Sequence, residues 1–118
     1  MEDGKRLIEE LDKLEFPILA ALWFYFPESD EWRLIIATPL IDEMGPLEAY
    51  TLLQSKLEKL KSLTEITLKD ITIISPKDDL IKSLRIAIHT GSGISGIRFT
   101  GNTINQVYIN DAYIYRVK

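Results

Sequence analysis

Nine consecutive residues, Ile18 to Phe26, are apolar on both alternating faces: Ala20, Leu22, Phe24 and Phe26 on one, Leu19, Ala21, Trp23 and Tyr25 on the other. Successive side chains of a strand point to opposite sides of its sheet. A strand greasy on both sides must therefore sit inside a sheet and be covered above and below. Its aromatic residues suit an extended chain, and Pro17 and Pro27 bracket it. This run demands a layered fold around a central strand, and it sets the frame for everything else.

The flanking segments supply the layers. Leu7, Ile8, Leu11 and Leu14 form one apolar stripe on a short helix over Asp3–Leu14. Pro27 to Glu31 reads as a turn, and Trp32–Thr38 as a second strand closing a hairpin with the first. Gly45-Pro46 opens a second helix, whose stripe is Ala49, Leu53, Leu57 and Leu60, with Tyr50 and Leu52 beside it. Ile66–Ser75 is rich in β-branched residues and reads as a third strand. Ser75-Pro76-Lys77-Asp78 is a good helix start, with serine as the cap, and Leu80, Ile81, Leu84, Ala87 and Ile88 form the buried face that follows. Gly91-Ser92-Gly93 ends that helix. Ile97–Thr100, Gln106–Ile109 and Ala112–Val117 read as strands, with Gly101-Asn102 and Asn110-Asp111 as turns. The expectation is an α+β fold in the order α-β-β-α-β-α-β-β-β. It is one domain over residues 1–118, a mixed sheet with about three helices on one or both faces.

Charge is unevenly spread. Residues 1–81 hold nine Lys/Arg against seventeen Asp/Glu, and residues 82–118 hold five against Asp111 alone, giving the overall −4. The tail also carries His89 and all three asparagines. An acidic body with a basic tail places any site for an anion in the tail. Lys82, Arg85 and His89 recur at helical spacing, and Ser92 and Arg98 follow closely, so these five are the candidates for binding an anion or ligand. Trp23, Trp32, Tyr108, Tyr113 and Tyr115 are the candidates for a protein interface.

Other chemistries lack their residues. Zero cysteines remove disulfides, thiolate nucleophiles and thiolate metal sites, and one histidine cannot make an imidazole metal site. The pattern Gly91-x-Gly93-x-x-Gly96 matches a dinucleotide loop in spelling, yet it follows a helix and precedes a strand, the reverse of what phosphate binding needs. The acid pairs Asp42-Glu43 and Asp78-Asp79 lie where helix starts attract acids anyway. No catalytic residue, metal or cofactor is expected. The charged start does not read as a secretory leader and no apolar run approaches a membrane span, so the expected location is cytoplasmic. The sequence points to a domain acting through protein contacts, as a homo-oligomer or in an adaptor or regulatory role. Its acidic and basic surfaces would meet between copies. The alternative is a nucleic-acid or phosphate-ligand binder, even a weak metal-independent RNase, using the basic tail.

Overall fold

A computed structural model describes residues 2–118. The elements are α1 (Glu2–Lys13), β1 (Ala20–Phe26), β2 (Glu31–Ala37), α2 (Leu40–Met44), α3 (Pro46–Leu60), a 3₁₀ turn (Leu68–Asp70), β3 (Ile71–Ile74), α4 (Asp79–Ala87), β4 (Ile97–Ile104) and β5 (Val107–Val117). The five strands form one mixed sheet in the order β3-β2-β1-β5-β4, with only β2 and β3 parallel. The run that is apolar on both faces is the central strand.

Two cores lie on opposite faces of that sheet. Leu7, Ile8 and Leu11 of α1 and Ala49, Leu53 and Leu57 of α3 pack on Ala21, Leu34, Ile36 and Tyr115. Ile81 and Leu84 of α4 pack on Ala20, Leu22, Ile35 and Ile114 on the other side. Ile104 and Ile109, near the tip of the β4–β5 hairpin, belong to this second core, so the hairpin end helps the short α4 cover its face. Both faces are thereby screened from water, as the sequence of β1 requires.

Four local readings are corrected. The C-terminal segment makes two strands instead of three, because Asn110-Asp111 stays extended within β5. Gly101 adopts φ 55° inside β4, with the β4–β5 register the same before and after it, and the hairpin turn falls on Asn105 and Gln106 at φ 47° and 72°. Those two positive values are what a two-residue hairpin loop needs. The third strand is shorter than expected because Thr67 and Asp70 close a reciprocal cap on a 3₁₀ turn that uses up its first half. The α4 cap is Asp78, which accepts from the Leu80 amide at 2.9 Å, and Ser75 instead donates to Asp42 at 2.7 Å.

Side chains lock the sheet to its layers. Arg33 donates to Thr72 Oγ1 and to the carbonyls of Lys69 and Ile71, tying β3 to β2. The β1–β5 register shifts between Ala21 and Leu22, so Tyr115 and Arg116 both turn towards α1. Trp23 Nε1 donates to Tyr115 Oη at 3.1 Å.

Burial holds the Tyr115 phenol up at about 12, against an ordinary value of 10.0. A raised value means that the folded state keeps its proton where the unfolded chain has lost it. The contribution is fully present below pH 10 and is lost as pH rises towards 12, by about 2 kcal/mol. Denaturant titrations across that window, read with the tyrosine absorbance, are expected to show the loss. A flat stability profile would contradict it.

Candidate interaction surfaces

The five basic-tail candidates do not form one patch. Lys82 is exposed on α4, and Arg85 is half-buried with Nε donating to the Lys118 carbonyl at 3.1 Å. The helix stops at Ala87 and the chain turns extended at Ile88, which takes His89 off the helical row. Ser92 lines a separate cleft of about 260 Å³ with Asp12, Glu15, Arg116 and Lys118. Arg98 is the cross-strand partner of Tyr113 on the α1–α3 face, whereas α4 packs on the opposite face. The sheet itself separates Arg98 from the α4 cations.

Several tail charges are also already neutralised. Arg98 grips Asp111 with two bonds of 2.6 Å, which pulls the Asp111 carboxyl below its usual range. The same guanidinium lies 5.9 Å from the centroid of the Trp32 ring, within cation–π reach. Arg116 is buried and grips Asp12 with bonds of 3.0 and 2.7 Å. The expectation of a shared cationic surface fails because ion pairs form by proximity in space, not along the chain.

The aromatic candidates divide by depth. Tyr115 is 1% exposed and offers no surface. Trp23 and Tyr113 are half-buried against the first core. Trp32 and Tyr108 are exposed, on β2 and near the β4–β5 turn. Tyr25 stacks at a tilt on Trp32 and donates to Asp30 at 2.6 Å.

A surface not anticipated from the sequence lies on α3. Its inner side buries Ala49, Leu53, Leu57 and Leu60, and its outer side carries a shallow groove of about 480 Å³. Met44, Leu47, Glu48, Thr51, Leu52 and Ser55 line it, and Leu47 is 81% exposed. The two hydroxyls in the groove make bonds within the helix, Thr51 Oγ1 to the Leu47 carbonyl at 2.8 Å and Ser55 Oγ to that of Leu52 at 2.6 Å. The signal was available in the sequence: Leu47 and Leu52 are apolar residues outside the core stripe.

The sheet edges differ in protection. On β3 the Ile73 amide is capped by Tyr50 Oη at 2.9 Å. The outer edge of β4 pairs with no other strand, and it contains neither Lys nor Pro, two common devices against strand addition.

Among the described residues no helix is long and apolar enough to cross a membrane, and no three His, Cys, Asp or Glu side chains are grouped to hold a metal ion. Compared with protein-family models, curated proteins and solved structures, the chain gives no match. What the geometry defines is a class: a mixed α+β sheet domain with one shallow groove on α3, where Leu47 is exposed and Met44 and Leu52 lean on the first core.

Proposed function

We propose that this protein is a non-enzymatic contact domain that works by binding protein, self-association included. The observation that carries the reading is the α3 groove, where Met44, Leu47 and Leu52 form an apolar lining beside hydroxyls already bonded within the helix. Single exposed apolar residues are ordinary, but a grouped set in a concave surface marks a place for a partner. A partner covering Leu47 would remove apolar area from water, with Thr51 and Ser55 already bonded within the helix and Glu48 left to meet a cation of the partner.

Size-exclusion chromatography with light scattering, across concentration and at low and high salt, tests this reading. The expected result is a mass above that of one chain, falling on dilution. Leu47→Asp is expected to reduce association strongly while leaving thermal stability nearly unchanged, because exposed substitutions move it by about 0.5 kcal/mol or less. A monomer at every concentration and salt level would remove self-association from the reading.

An adaptor role has its own support in the β4 edge, which is open to a partner's strand. Binding of nucleic acid or a phosphate ligand is less well supported. Arg98 and Arg116 are engaged by carboxylates, and Lys82 and His89 are left without the convergent cations that a phosphate backbone needs.

A further inference from the structure

One row on α3 is complementary to itself. Glu48, Leu52, Ser55 and Lys59 fall at spacings of four, three and four, which stacks them along a single side of the helix beside the groove. Glu48, Ser55 and Lys59 are exposed and Leu52 is half-buried. Among the described residues, neither Glu48 nor Lys59 takes part in an ion pair or side-chain hydrogen bond, whereas their neighbour Glu58 already pairs with Lys61 and accepts from Gln54.

Turning this row end for end places acid opposite base and large opposite small. From these observations we infer that the partner of the α3 face is a second copy of the chain, with the two α3 helices antiparallel about a two-fold axis. Glu48 meets Lys59 of the partner subunit, and Leu52 sits over Ser55 of the partner subunit. Both contacts occur twice and share one register. The antiparallel arrangement also sets the positive end of each helix beside the negative end of the other. Because the same patch serves both molecules, the assembly closes at two. The inference rests on the proposed contact reading of this face and adds its occupant and register. Helix α3 has 15 residues and is about 22 Å long, so the contact lies at the small end of interface sizes and is concentration-dependent.

Charge exchange tests the register. Glu48→Lys places two lysines opposite each other at both ends of the pair, and Lys59→Glu does the same with two glutamates. Each variant alone is expected to dimerise roughly tenfold more weakly than wild type in sedimentation velocity at low salt. An equimolar mixture of the two regains attraction at both ends and is expected to form a heterodimer of wild-type strength. Both residues are on the surface, and unchanged circular dichroism and melting of each variant would show that the fold is intact. A wild-type dimer that neither substitution weakens, or a mixture no stronger than its components, would overturn this register and leave self-association by another surface standing. A wild type that remains monomeric throughout would overturn both the register and the self-association reading.

Discussion

Arg116→Ala is expected to destabilise the protein by about 3–5 kcal/mol, because it strands two backbone carbonyls at about 1–3 kcal/mol each and removes a buried side chain. The Arg116 side chain is 5% exposed and makes four bonds to three residues, one in α1 and two in loops. Nη1 and Nη2 hold the Asp12 carboxylate of α1 at 3.0 and 2.7 Å, Nη1 also donates to the Ile18 carbonyl at 3.2 Å, and Nε donates to the Gly93 carbonyl at 3.3 Å. Removing the guanidinium leaves two backbone carbonyls short of a donor and detaches the end of α1 from β5. Asp12 is 38% exposed and can recover water when its partner goes. Asp12→Ala, by contrast, leaves the buried guanidinium without its counter-charge and should itself cost about 3–5 kcal/mol, even though both carbonyls keep their donor. Arg116→Lys is not a rescue, because one ammonium cannot fill a planar fork of acceptors. Urea denaturation of the two single variants and the double variant would give the coupling directly. A loss under about 1 kcal/mol for Arg116→Ala would mean that the clamp is not what holds α1 in place.

That clamp is a long-range contact, and it contrasts with the features of this fold that are local in sequence. The layered sheet could be read because periodicity is local: the two apolar faces of β1 required cover, and α1, α3 and α4 supply it. The hairpin turn is hard to place because Gly101 looks like a turn residue, whereas in the structure it takes φ 55° inside β4 with the β4–β5 register unchanged on either side. Gln106 at φ 72° is a poor advertisement for a turn, and only the pairing of Ile104 with Val107 fixes it there. Charge was the least readable property. Arg116 and Asp12 are 104 residues apart in sequence and 2.7 Å apart in space, so dividing the chain by charge put bonded partners in opposing camps. The self-complementary row on α3 needed only helical spacing. Its members lie outside the core stripe of Ala49, Leu53, Leu57 and Leu60, among residues that look like ordinary solvent face.

Gly4→Ala is expected to destabilise the protein by about 1–3 kcal/mol, even though alanine is the better helix former by roughly 1 kcal/mol in a helix interior. Gly4 is buried in the first turn of α1. A Cβ there would overlap the Tyr115 hydroxyl and stand 2.7 Å from Tyr115 Cζ and 2.8 Å from Trp23 Nε1. Neither ring moves away cheaply. Tyr115 is fully buried, it accepts the Trp23 indole hydrogen bond, and it packs edge-on against Tyr113 with ring centroids 5.4 Å apart. The helix must rise from the sheet instead, which loosens Leu7, Ile8 and Leu11 together. Tyr115→Phe alone should also destabilise, because Trp23 loses its acceptor. Combined with Gly4→Ala it should cost less than the two changes added, since removing the hydroxyl relieves the tightest overlap while Cζ remains close. Additive losses would place the strain elsewhere. A stabilised Gly4→Ala would mean that α1 does not approach the sheet as closely as the missing side chain at position 4 allows.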